Sequence, residues 1–235
     1  MNVEKLSLRL EKVAKYVLDH SIVADIGSDH AYLPCYLAVN KRIKGAIAGE
    51  INEGPYQSAK KQVEESGLEH VITVRKGNGL AVISANEAEV ITICGMGGQL
   101  IATILEEGKE KLEGVKRLIL QPNVGSESVR KWLLKENWIL VTEEILKEDG
   151  KIYEVLVADR TGVQPYSGNP TYELLLGPYL LKEKSDVFRE KWLGEIAQWT
   201  NILKQMKKSG SPGVGLKIAE LKEKIETVKE LINYG

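Results

Sequence analysis

With 235 residues, 43% of them hydrophobic and 28% charged, the chain is long enough for one core-bearing domain plus an appendage. No apolar run approaches the roughly 20 residues of a membrane span, and an N-terminus carrying Glu4, Lys5 and Arg9 does not read as a secretory leader, so a cytoplasmic protein without a membrane partner is expected. Net charge is −1 but uneven, −4 over residues 1–159 and +3 over 160–235, a mild basic bias in the tail that suits a polyanion.

Residues 3–18 read as an amphipathic helix. Leu6, Leu10, Val13 and Val17 form one apolar stripe, and Lys5, Arg9 and Lys12 line another face. Those cations serve either as a solvated face, supported by an i,i+4 pair such as Glu11 with Lys15, or as phosphate contacts.

The run Val23-Ala24-Asp25-Ile26-Gly27-Ser28-Asp29-His30-Ala31-Tyr32-Leu33 is a strand, a tight turn and a helix start near Ala31. In an open α/β sheet, ligands lie beyond the carboxyl ends of strands, so this turn is a cofactor candidate. The dinucleotide fingerprint G-x-G-x-x-G needs two further glycines, for the pyrophosphate and for helix packing. Asp29 and Tyr32 stand there instead. A carboxylate repels a pyrophosphate, a tyrosine blocks the packing, and the G-x-x-x-x-G-K-[ST] phosphate loop is absent. S-adenosylmethionine has no phosphate and carries a sulfonium and an ammonium, which acids attract. The turn therefore suits S-adenosylmethionine better than NAD or ATP.

Further strands are expected at Ile43–Gly49, Val71–Arg75, Val90–Cys94 and Arg117–Leu120. They alternate with helices at Glu53–Ser66, from Gln99, and through Lys131-Trp132-Leu133. Two longer strands, about Trp138–Leu146 and Lys151–Ala158, flank a hairpin signal at Glu148-Asp149-Gly150. Five αβ units closed by a hairpin are the plan of a class I methyltransferase, a Rossmann-like doubly wound α/β sheet. Thr161–Pro170 is a linker by composition. Beyond it, Phe188, Trp192, Ile196, Trp199, Leu203 and Met206 form one helical seam, and Ile218, Leu221, Ile225, Val228 and Ile232 a second. With Ser209-Gly210-Ser211-Pro212-Gly213 as the turn, they make a C-terminal antiparallel helical hairpin of coiled-coil type. The expected domains are 1–165 and 166–235. Cys35 and Cys94 read as reduced thiols, and His20, His30 and His70 are too scattered to suggest a metal.

The candidate site residues fall just past strand ends. Asp25 and Gly27 shape the first turn. Glu50 can accept hydrogen bonds from two ribose hydroxyls, or cap a helix; Asn78 can pair with an adenine edge, or serve Gly77-Asn78-Gly79 as a turn residue. Glycines in Gly95-Met96-Gly97-Gly98 let a flat ring approach the backbone, or form a flexible loop. Asp29 can take a proton or cap a helix, Gln121 and Asn123 can read a base edge, and Pro122 shapes that turn. Trp192 and Trp199 fit a core better than a stacking platform.

Asp25-Ile26-Gly27-Ser28-Asp29-His30-Ala31-Tyr32-Leu33-Pro34, Asn52-Glu53-Gly54-Pro55, Gly77-Asn78-Gly79-Leu80, Cys94-Gly95-Met96-Gly97-Gly98 and Leu120-Gln121-Pro122-Asn123 resemble the bacterial tRNA adenine-N1 methyltransferases that modify the twenty-second nucleotide in the D-loop. The resemblance runs from Leu6-Ser7-x-Arg9-Leu10 into the helical hairpin. It implies S-adenosylmethionine at Asp25, Gly27, Ser28, Asp29, His30, Glu50, Asn78, Gly95, Met96 and Gly97, with Asp29 and Asn123 as catalytic residues at the acceptor adenine. Arg9, Gly98, Gln121, Pro122, Lys204, Lys207 and Lys208 are the expected tRNA contacts. A monomer is expected. The alternatives are a methyltransferase of another substrate and a non-catalytic tRNA-binding protein, with an NAD oxidoreductase third.

Overall fold

The computed structural model describes residues 5–209 and 214–233, without the side chains of Lys208, Ser209 and Val214. The expected turn at 210–213 and the side chain of Lys208 therefore lie outside the described residues. The chain forms two compact units, residues 1–165 and 166–235.

In the first unit, strands β1 (Ser21–Ile26), β2 (Ile43–Glu50), β3 (Ile72–Lys76), β4 (Val90–Gly97), β5 (Arg117–Val124), β6 (Ile139–Glu148) and β7 (Lys151–Asp159) form one sheet of order β3-β2-β1-β4-β5-β7-β6. β1 to β5 are parallel and β7 runs antiparallel to both neighbours. The inner strands read as nearly unbroken apolar runs because both faces are covered. Val23, Ala24, Ile26, Ile91, Ile93 and Leu118 to Leu120 are all buried. Strand order reverses between β1 and β4, so the chain leaves these two strands in opposite directions along the sheet, and a crevice opens beyond their carboxyl ends, the place where α/β sheets bind ligands.

Helices α1 (Leu8–Lys15), α2 (Tyr32–Val39), α3 (Glu53–Glu65), α4 (Gly98–Glu107) and α5 (Ser126–Lys135) belong to this unit. α1 is shorter than the 3–18 expected from periodicity, because Ser7 caps it, its Oγ accepting from Leu10 N at 3.3 Å. The Glu148 carboxylate reaches from the end of β6 to accept from Leu8 N at 2.6 Å, an anion at a helix N-terminus. At the other end, Arg42 donates to the carbonyls of Ala14 and Val17. The cations of α1 are not a solvated row. Lys12 and Lys15 both pair with Glu144 of β6, at 2.6 and 2.5 Å, so the expected Glu11–Lys15 pair gives way to a tertiary one.

Two strands run further than expected. β4 continues through Gly95 to Gly97 and β5 through Gln121 to Val124, with Cys94 opposite Gln121, Met96 opposite Pro122 and Gly97 opposite Val124. The register breaks on both sides of Met96. The glycine stretch is thus a bulged strand end, not a loop, and it re-aims its side chains. Under β5, Arg130 of α5 is enclosed between Glu143 of β6 and Glu154 of β7, at 2.6 and 2.7 Å.

The second unit contains α6 (Thr171–Leu176), α7 (Pro178–Glu183), α8 (Asp186–Ser209) and α9 (Val214–Asn233). α6 and α7 were not anticipated; Gly177 at φ +93° separates two single-turn pieces too short to show a period. Within α8 and α9, Phe188, Trp192, Ile196, Ile225, Val228 and Ile232 are buried. Trp199 is half-buried, with the Lys224 ammonium 4.5 Å from its ring centre. Lys204 and Lys207 are exposed on α8.

Candidate active site

Beyond the carboxyl ends of β1, β2 and β4 lies a cleft of about 500 Å³, walled also by α1 and β7. Of the expected residues it brings together Arg9, Asp25, Gly27, Ser28, Asp29, Glu50, Gly95, Met96 and Asn123. It adds Asn52, which opens one of the family motifs, and others the sequence did not single out, notably Ile51, Leu100 and Tyr153.

The turn after β1 is built so that its amides face inward. Gly27 N and Ser28 N both donate to Gly49 O, at 2.9 and 3.1 Å, and Asp29 N donates to Glu50 Oε1 at 2.8 Å. The amides that would cradle a phosphate in a dinucleotide site are therefore already spent. Gly27 has φ +71°, and a side chain there would collide with the methyl of Met96, which folds over the turn. The Met96 side chain could swing away, so it is the left-handed backbone that calls for glycine here.

Asp25 is buried, and its two oxygens accept from Ser28 Oγ at 2.5 Å and Thr92 Oγ1 at 2.6 Å. Burial pushes its carboxyl above the usual range; the two hydroxyls hold it back, and Glu50 adds a little to the rise. Glu50 is 6% exposed and accepts backbone N–H groups at both oxygens, from Asp29 and from Ile51 at 3.1 Å. A carboxylate has about four lone-pair sites, so two remain for a ligand. Asp29 stands at the mouth with its side chain 67% exposed and its backbone left-handed at φ +54°. Burial, with Asp25 alongside, pushes the Cys94 thiol up, which keeps it protonated.

Arg9, expected as a phosphate contact, instead enters the cleft. Its Nη1 donates to Gln121 Oε1, and its guanidinium lies 5.5 Å from the centre of the Tyr153 ring. Gln121 is likewise not a base reader: it is fully buried, its oxygen also accepts from Gly95 N at 2.9 Å, and its amide donates to Asn123 Oδ1 at 3.3 Å. Asn123 donates on to Gly95 O at 2.7 Å. Pro122 is buried in the β4–β5 pairing and cannot touch a substrate there. Gly98 is also buried; a side chain on it would strike the Gly125 carbonyl, so its role is close packing of α4 against the turn after β5.

Three expected cofactor residues lie off the cleft wall. His30 stacks on Tyr32, centroids 5.2 Å apart. Gly97 ends β4, and Asn78 is exposed beside a separate hollow of about 200 Å³ with Ile104. Among the described residues no group of His, Cys, Asp and Glu could hold a metal ion, and no helix is long and apolar enough to cross a membrane.

The model of the TrmK family, tRNA (adenine(22)-N(1))-methyltransferase, matches residues 23–230. The tRNA (adenine(22)-N(1))-methyltransferase of Bacillus subtilis is 51% identical over 240 aligned positions, covering 100% of both chains. The crystal structure of the B. subtilis M1A22 tRNA methyltransferase TrmK matches with TM-score 0.93 at 49% identity, covering 98% of this chain and 100% of that one. Streptococcus pneumoniae Sp1610 in complex with S-adenosyl-L-methionine matches with TM-score 0.86 at 44% identity, over 97% of this chain and 100% of that one. The sheet order, the acidic cleft and these likenesses agree, and the chain belongs to the TrmK family of tRNA (adenine(22)-N(1))-methyltransferases.

Proposed function

We infer that the chain transfers a methyl group from S-adenosylmethionine to N1 of adenine 22 in tRNA. The observation that carries the choice of donor is the charge of the cleft: Asp25, Asp29 and Glu50 line it, and the amides of the first turn are closed to a phosphate. That lining fits a donor with a sulfonium and an ammonium and no phosphate. It does not fit a dinucleotide.

Glu50 would take the two ribose hydroxyls with its remaining lone pairs. Asp25 and the Gly27-Ser28 turn would hold the methionine portion, and the exposed side chains of Ile51 and Leu100 offer apolar surface to a flat ring. When bound, S-adenosylmethionine supplies an electrophilic methyl group. Neutral adenine carries an in-plane lone pair on N1, so the chain's task is alignment before proton transfer. A stem-loop adenine must be caught unpaired or extruded to reach the cleft. Asn123, tethered to Gly95 O, keeps one oxygen lone pair for an exocyclic amine. Methylation at N1 makes the ring cationic, and the exposed carboxylate of Asp29 supplies a countercharge at the mouth.

Lys204 and Lys207 on α8 offer phosphate contacts. A cytoplasmic location follows from a tRNA substrate, and a monomer is the state in which the chain is expected to act. Incubation with labelled S-adenosylmethionine and unmodified tRNA, then mass spectrometry of the digested product, should find N1-methyladenosine at position 22. Methylation of any other base, or none, would refute the assignment.

A further inference from the structure

We propose that Val124 is a wedge that enters the tRNA stack as the target adenine leaves it, filling the place of the extruded base. The inference rests on the tRNA assignment above and deepens it, by choosing extrusion over capture of a base already unpaired. Exposed apolar side chains gather at the mouth of the cleft. Ile51 and Leu100 line it, and Val124 follows directly on Asn123, which lines it too. Single exposed apolar residues are ordinary, but several at the rim of one site mark contact with whatever enters it. Val124 is the most exposed of the three, at 73%. It is continuous with the surface that the adenine must cross.

The backbone holds this side chain out on a rigid mount. Gln121 and Asn123 share one face of β5, since their side chains are bonded to each other, so strand alternation turns Val124 to the opposite face. Val124 pairs with Gly97 in the last rung between β4 and β5. Directly after it, Gly125 turns left-handed at φ +74°, with its carbonyl packed closely against Gly98 and accepting from Ser128 N at 3.0 Å. Strand pairing on one side and the packed turn on the other thus fix where Val124 stands. Its branched side chain is itself stiff at χ1. A rigid apolar prong suits insertion between bases, because the contact it makes offsets the cost of unstacking them. Its neighbours in the chain, Asn123 and Gly125, carry no apolar side chain, so the prong is one residue wide, the width of a base step and too narrow for a protein interface.

The test uses the full chain and tRNA carrying 2-aminopurine in place of adenine 22, a base whose fluorescence is quenched in a stack and rises outside it. Wild-type protein should raise the fluorescence on binding. Val124→Ala should bind this tRNA as the wild type does yet lose most of the rise, and its single-turnover methylation of ordinary tRNA should fall about tenfold, the worth of partly burying a valine side chain. Val124→Leu, which keeps an apolar prong, should retain both the rise and the rate. Unchanged affinity for S-adenosylmethionine in both variants shows that the fold and the cleft are intact. The proposal is overturned if Val124→Ala gives the full rise, keeps the wild-type rate or loses S-adenosylmethionine affinity, or if the alanine and leucine variants fall alike. Loss of the rise together with tRNA affinity would also overturn it, since Val124 would then be a docking contact. A wild type that methylates position 22 with no rise in fluorescence overturns this inference alone, because the base is then caught unpaired; one that leaves tRNA unmethylated overturns the tRNA assignment and this inference with it.

Discussion

Two regions of the first unit bury charge in opposite ways. Between β5 and the closing hairpin, Arg130 is enclosed with Glu143 and Glu154, the guanidinium bonded to both carboxylates. Beyond β1 and β2, Asp25 and Glu50 are almost as deeply placed, yet their partners are hydroxyls and backbone N–H groups, and no cation among the described residues pairs with either. Charges enclosed with their counterions are structural, because removing one partner strands the others. Charges enclosed without counterions face the cleft, and they hold a field that a cationic ligand can relieve. The difference separates scaffold from site within one sheet.

The largest effect should come from breaking the neutralised region. Arg130→Met would leave two carboxylates uncompensated in the core and lower stability by about 3–5 kcal/mol, read from denaturant midpoints. Affinity for S-adenosylmethionine, measured below the transition, should stay near the wild-type value. Next in size is the opposite experiment. Glu50→Gln should weaken S-adenosylmethionine by about 2–3 kcal/mol, the worth of hydrogen bonds to a charged acceptor, while stability stays level. If Glu50→Gln unfolded the protein, or Arg130→Met abolished binding in a folded chain, the contrast would be wrong.

Between these extremes lies Glu144, half enclosed and bonded to Lys12, Lys15 and Tyr16. Burial alone would raise its carboxyl, but the three bonds outweigh burial and hold it at about 2. A carboxyl lowered in the folded state stabilises fully above its ordinary value near 4.5 and loses that contribution as pH falls toward about 2. With both lysines partly solvated, the contribution is discounted to about 2 kcal/mol. Glu144→Gln should lose that amount at neutral pH and flatten the acid limb of the stability curve between those two values. An unaltered acid limb would mean that α1 is held by its apolar stripe alone.

The strand–helix alternation, the closing hairpin and the acids at strand ends were legible because each depends on local pattern: apolar runs, a glycine after an acid, a turn dipeptide. The strand extensions through Gly95-Met96-Gly97 and Gln121-Pro122-Asn123 were not. Glycine and proline signal a turn locally, and only the bulged pairing of β4 with β5 makes strands of them. Arg9 was misplaced for a related reason. On a helical wheel it shares a face with Lys5 and Lys12, but Gln121 and Tyr153, far away in sequence, decide where its guanidinium goes. Gln121 itself looked like a base reader, since nothing local says that its oxygen is already taken twice. Tyr153 and Leu100 carried no motif at all; they reach the cleft only because β7 returns antiparallel and α4 starts on a bulge.

The smallest predicted effect concerns the charge at the rim. Asp29 is exposed, with His30 Nε2 3.7 Å from its carboxylate, and its backbone is left-handed. Asn tolerates that conformation as Asp does, so Asp29→Asn removes the charge without straining the turn. The Asp29 N–H bond to Glu50 should also survive, leaving affinity for S-adenosylmethionine within about twofold, since the variant keeps every buried contact. What the variant loses is the countercharge to the cationic methylated ring. In solvent that is worth about 1 kcal/mol at most, or up to about a fivefold fall in single-turnover rate. If the rate is unchanged while the Glu50→Gln variant still binds the donor more weakly, the acids of the cleft act on the donor alone, and the charge on the adenine is left to water.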